Sequence, residues 1–307
     1  MWRTVVCRYC AAEVSPCEDT VRASRFRDAY LRSTESLHDP AQSLECAGQR
    51  YRILLPLANG TSARVVLAER AGAFPELTVL KIAHATTVTG RLGQEREILA
   101  ALQSDTSAGS AYFSQRLPQV AGFGTTTVDG GEPREVLVLR NPTGFWGSLA
   151  QVRHNYPAGI DPRHAVWMWR RVLEVLAYIH ELGWAHGNLA PEHLLVHPAD
   201  HGVLIIGWAR ARQYQTMPAG ASSPVARDLV QAAWTIRAML AGSTSDAEPQ
   251  FPSSTPSPLV ALLKHASEDP GWAASLGARG LEQQLGTAAR EAFGPPSFID
   301  FSPTRQH

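Results

Sequence analysis

Strand-like and helix-like patterning separate along this chain, and the border falls at Asn141-Pro142. Upstream, residues 51–57, 63–69 and 77–83 are short runs rich in Val, Leu and Ile, parted by turn residues at Asn59-Gly60 and Gly72. Residues 90–103 read as a helix, with Ile98, Leu99 and Leu102 on one side. Two further strands are expected at 120–128 and 134–139, joined through Asp129-Gly130-Gly131. Downstream of the border the pattern is helical. Asp161-Pro162 suits an N-cap followed by Pro at the first helical position, and that helix should stop at Gly183. Two short apolar runs follow at 194–197 and 203–206, then helices at 227–241, 258–267 and 276–293, with a Ser/Pro-rich loop at 243–258. The expected class is α+β: a small lobe of five strands and one helix, then a larger helical lobe.

Composition limits the partners. The 307 residues are 44% apolar and 18% charged, which suits a globular chain with a substantial core. A formal net charge of zero favours neither nucleic acid nor an anionic membrane surface. No apolar run reaches the roughly 18 residues of a membrane span, and MWRTVVCRYC at the start has no long apolar region. A soluble cytoplasmic protein is expected. Among 28 basic residues only Lys81 and Lys264 are lysine. A Lys kept in so Arg-rich a chain marks a place where a guanidinium would not serve.

All four cysteines lie before residue 51, at Cys7, Cys10, Cys17 and Cys46, spaced Cys-x2-Cys-x6-Cys-x28-Cys. Residues 1–50 therefore read as a separate cysteine-rich segment. A tetrahedral thiolate zinc site would supply folding energy that so short a segment lacks, and His38 could replace one Cys. A loose segment with free thiols is the alternative; a redox pair is less favoured, because no thioredoxin-like strand–helix unit surrounds it.

Several stretches resemble the protein kinase superfamily, over roughly residues 51–293. The run VLKIA, 79–83, is similar to the third-strand motif whose Lys pairs with nucleotide phosphates, here Lys81. QEREILAAL, 94–102, is similar to the following helix and puts Glu95 at the position that pairs with that Lys. VLVLRNP, 136–142, resembles the fifth strand and hinge, with Leu139 near the gatekeeper position and Asn141 in the hinge. HGNLAPEHLLV, 186–196, resembles the catalytic loop, and Asp228 stands where a helical Asp braces that loop. The resemblance implies a kinase-like N-lobe at 51–141, a helical C-lobe at 142–296 and a tail at 297–307.

The same alignment shows where the chemistry departs. Asn188 replaces the Asp that takes the acceptor's proton, and an amide cannot act as a base. The two metal-ligand positions carry His193 and Gly207, although magnesium prefers oxygen ligands. Only Gly60 remains of the Gly-rich loop, with Thr61 and Ser62 beside it. The stretch from Gly207 to Asp228 is short for an activation segment and lacks an Ala-Pro-Glu motif; Ser222-Ser223-Pro224 reads as loop. The resemblance thus implies a degenerate member, a pseudokinase without catalytic residues. It would serve as a scaffold or allosteric regulator of a protein partner and bind ATP weakly without magnesium through Lys81, Glu95, Gly60, Leu139 and Asn141. An atypical phosphotransferase or nucleotidyl-transferase on the same fold remains the alternative. The sequence does not set the oligomeric state.

Overall fold

The computed structural model describes residues 5–6, 13–14, 43–72, 76–84, 90–107, 109–127, 131–214, 223–241 and 251–304. The chain divides into two compact units, Met1–Ala100 with Gln119–Thr143, and Ala101–Pro118 with Gly144–His307.

The first unit is built on one antiparallel sheet. Besides a separate two-stranded ladder, β1 (Val5–Val6) with β2 (Glu13–Val14), it contains β3 (Ser43–Cys46), β4 (Gln49–Asn59), β5 (Ala63–Arg70) and β6 (Glu76–Ala83). Helix α1 (Arg91–Gln103) follows, then β7 (Val120–Thr127) and β8 (Pro133–Arg140). The strand order is β3-β4-β5-β6-β8-β7, six strands where five were expected. The added strand lies upstream of residue 51, so the small lobe begins inside what read as the cysteine-rich segment. Its hairpin turns at Ala47-Gly48, both with positive φ (53° and 70°). Such a two-residue turn is usually announced by Asn-Gly or Asp-Gly, and Ala at its first position gives no such signal.

Alternation along the strands sets the core. Thr78, Leu80 and Ile82 of β6 are buried on one face, and Lys81 lies on the other. Leu80 and Ile82 join Leu44, Cys46, Tyr51, Val66, Ala68, Val136 and Val138 in one cluster. The sheet curls around this cluster until the β3–β4 turn meets β7. A Cβ on Gly124 of β7 would lie 3.1 Å from the Ala47 amide nitrogen and 3.2 Å from Cys46 Sγ, so a side chain there would force the edges apart.

The second unit is mainly helical. It contains α2 (Ser110–Ser114), β9 (Gly147–Ser148), α3 (Leu149–Asn155), α4 (Pro162–Glu181), β10 (Trp184–Ala185), β11 (Leu194–His197), β12 (Gly202–Ile205) and β13 (Arg212–Gln213). Helices α5 (Pro224–Ala241), α6 (Ser257–Glu268) and α7 (Pro270–Phe293) complete it. Asp161 caps α4 as its sequence implies, accepting a bond from the Arg163 amide. Buried Ala165, Met168, Trp169, Val172, Leu173, Leu176 and Ile179 recur at helical spacing along α4 and form its core face. Helix α5 starts earlier than expected: Ser223, read as loop, accepts a bond from the Ala226 amide and acts as a cap, with Pro224 in the first turn. Helix α7 is interrupted at Gly277 (φ 65°), beside the expected start at residue 276.

After Phe293 the tail lies on the helical unit. Phe301 is buried against His164 and Trp167, and Tyr156 Oη donates to the Ser302 carbonyl at 2.6 Å. Among the described residues no helix is long and apolar enough to cross a membrane.

Candidate functional site

Lys81 and Glu95 form an ion pair, β6 to α1. Glu95 is 1% exposed and Lys81 17%, so the carboxylate is fixed in the interior and the ammonium retains some access to solvent. The register sets Lys81 beside Val65 of β5 and Leu137 of β8. One step along the same face, Leu55, Leu67, Val79 and Leu139 stand side by side on four adjacent strands. Leu139 is buried, while Leu67 and Val79 are half-buried and Leu55 is exposed. This ladder is an apolar surface next to a cation. Asn141 follows it, its amide 3.4 Å from the Leu77 carbonyl.

The β4–β5 tip is tight. Asn59 pairs with Arg64, so only residues 60–63 turn. The Gly60 amide donates to the Ala63 carbonyl at 3.0 Å, and the Gly60 carbonyl accepts from His84 Nε2 at 2.8 Å. No residue of this turn has positive φ. Gly60 therefore closes a hairpin and does not open a backbone nest of the kind that holds phosphate chains.

In the helical unit Asp228 is fully buried on α5 and organises the loop after β10. One carboxylate oxygen accepts from the His186 amide at 2.7 Å and from His180 Nε2 at 3.0 Å; the other accepts from the Gly187 amide at 2.7 Å. Asp228 braces the loop's backbone and is not a helix cap. Gln231, one turn on, takes the Leu189 amide at 2.9 Å. The His186 ring bridges too. Its Nδ1 accepts from the Asn188 amide, so Nε2 carries the proton and donates to the Ile206 carbonyl at 3.0 Å.

At the three altered positions the side chains fit one another. A carbonyl only accepts, so the 2.7 Å contact between His193 Nδ1 and the Asn188 carbonyl places the proton on Nδ1. The ring then lies over Gly207: a Cβ there would sit 2.8 Å from Cδ2 and 3.0 Å from Nε2 of His193. Gly207 has φ 86°, a conformation costly for other residues. Trp208 follows, fully buried, its Nε1 donating to the Ile205 carbonyl at 2.8 Å. The donors here are an amide, an imidazole and no carboxylate, which does not fit magnesium.

Residue patterning did not reveal His180 and Gln231 as braces. Nor did it single out Gly187, which stands at the Arg of the His-Arg-Asp string and has φ 74°. Of the expected zinc ligands, Cys46 is the one among the described residues: its Sγ is buried in the sheet core, 3.9 Å from the Val136 carbonyl, and burial pushes the thiol pKa up. Cys7, Cys10, Cys17 and His38 lie outside the described residues. Among the described residues no three His, Cys, Asp or Glu side chains gather as a metal site.

No family model and no curated protein matches the chain. Solved structures do. The BubR1 kinase domain matches with a TM-score of 0.61 at 13% identity, over 89% of this chain and 94% of that one. Vaccinia related kinase 3 matches with a TM-score of 0.58 at 17% identity, over 86% and 96%. The fold is that of a protein kinase domain. Within this fold Lys81 is paired with Glu95, and Asp228 holds the His186 and Gly187 amides. Strand β3 extends the five-stranded kinase sheet to six.

Proposed function

We propose that this chain is a pseudokinase: a kinase-fold scaffold or allosteric regulator that acts on a protein partner and transfers no phosphoryl group. The observation that supports this reading best is the packing of His193 on Gly207. Phosphoryl transfer needs metal ions on the phosphate oxygens and a residue that orients the acceptor. The imidazole fills the space over Gly207, and a carboxylate could enter there only if both residues changed. Asn188, bonded through its carbonyl to that imidazole, has no proton-accepting group to replace Asp.

The sheet lobe is in a different condition. The pair that orients a phosphate-binding Lys has been kept, beside an apolar ladder suited to a planar base. Weak, magnesium-independent nucleotide binding follows, with Lys81 as the phosphate contact and Leu139 and Asn141 flanking the base. Bound nucleotide would bias the sheet lobe's conformation and so the partner's affinity. A structural zinc is proposed on Cys7, Cys10, Cys17 and Cys46, with His38 able to replace one Cys, which metal analysis of purified protein would test. Cytoplasmic localisation belongs to the same reading.

The test is a turnover measurement with ATP and magnesium or manganese, scoring ADP release and label transfer. Wild-type protein should match its own Asn188→Ala variant, with neither above the buffer rate. Metal-dependent turnover that disappears in Lys81→Met would replace this reading with the atypical phosphotransferase.

A further inference from the structure

We infer that the sheet-lobe site takes a nucleoside monophosphate, and that a second and third phosphate add no affinity. This rests on the nucleotide-binding reading above and specifies its ligand. A planar base needs an apolar surface, and the cross-strand ladder Leu55, Leu67, Val79 and Leu139 supplies one. A phosphate needs a cation, and Lys81 lies two residues along β6 from Val79 of that ladder, on the same face, its ammonium held by buried Glu95.

A phosphate chain needs more. It carries several negative charges, which proteins neutralise with metal ions and with backbone amides turned inward by left-handed residues. The β4–β5 tip offers neither: it has no positive-φ residue, its Gly60 amide is engaged with Ala63, and its Gly60 carbonyl is held by His84. A carbonyl fixed at the tip would repel a phosphate. Lys81 shares its charge with Glu95, so it cannot balance three phosphates alone.

The experiment is calorimetry of the full chain with adenosine, AMP, ADP and ATP, all in EDTA. AMP should bind more tightly than adenosine, and ADP and ATP should match AMP within about threefold, under 1 kcal/mol. In Lys81→Met with Glu95→Gln, AMP should fall to the affinity of adenosine, which itself should stay unchanged. ATP binding about tenfold or more tightly than AMP would overturn the monophosphate assignment while leaving nucleotide binding in place. Absence of binding by all four, in protein with a cooperative thermal transition, would overturn the assignment together with the nucleotide-binding reading.

Discussion

His193 and Gly207 exclude each other's functional alternatives: a Cβ on Gly207 would lie 2.8 Å from the His193 ring. Restoring a metal-ligating Asp at 207 alone should therefore be destructive. Gly207→Asp places a side chain at φ 86° and against the imidazole, an expected loss of about 2–4 kcal/mol. Changing His193→Asn as well removes the clash but not the backbone strain. The double variant should be more stable than Gly207→Asp by about 1 kcal/mol or more, a coupling that urea denaturation of all four proteins would read. Strict additivity would show that the two positions are independent.

Lys81→Met removes the ion-pair partner, though not every contact, of a carboxylate that is 1% exposed. Breaking a buried pair from one side leaves the remaining charge less compensated, so the loss should be about 1–3 kcal/mol. Adding Glu95→Gln should recover most of it, since a neutral amide tolerates the site. Chemical denaturation of the single and double variants decides this. A single variant as stable as wild type would mean that other contacts satisfy Glu95. The double variant is thus the right background for any ligand-binding comparison.

Asp228 accepts three hydrogen bonds from buried donors, two of them loop amides. Asp228→Ala leaves all three without this acceptor and should cost about 3 kcal/mol or more. Hydrogen exchange at the His186 and Gly187 amides should rise in parallel. Loss of stability without faster exchange there would place the effect elsewhere in α5.

The tail contact should weaken in acid. His201 is buried between Trp167 and Phe298, with ring centroids 4.4 and 4.2 Å away. Burial lowers its pKa from the usual 6.5; Arg171 acts in the same direction, while the Ile299 backbone bond and Asp300 oppose them. His164, packed on Phe301, is lowered mainly by burial, with Asp161 opposing and His201 and Arg163 adding to the fall. With folded pKa values below unfolded ones, the unfolded chain binds more protons between them, so stability rises with pH there. This contribution is complete above about pH 6.5 and is lost as pH falls below it. Melting temperature should drop from neutral pH towards pH 5, and the slope should be shallower in His201→Phe, which keeps the stack and cannot titrate. The cost of Phe at φ 49° is independent of pH, so the slope and not the absolute value is the readout. Equal slopes would exclude His201 as a source.

Local signals that obey period and capping rules were legible in the sequence. Alternation in β6, the Asp161 cap and the helical spacing in α4 each placed an element near its observed bounds. Their order also located Lys81, Glu95 and Asp228. What escaped depends on long-range contact or on unusual turns. Strand β3 was missed because Ala47-Gly48 lacks the usual turn residues. Cys46 was grouped with Cys7, Cys10 and Cys17 by residue type alone, whereas alternation with Leu44 directs it into the core. The fit of His193 to Gly207 joins residues 14 positions apart in sequence, and neither residue type predicts the other.

The most direct measurement is ATP binding by calorimetry with magnesium and again with EDTA. If His193 and Gly207 close the metal positions, the two affinities agree within about twofold, near 0.4 kcal/mol. Binding that appears only with magnesium would contradict that closure and return the chain to the enzymes.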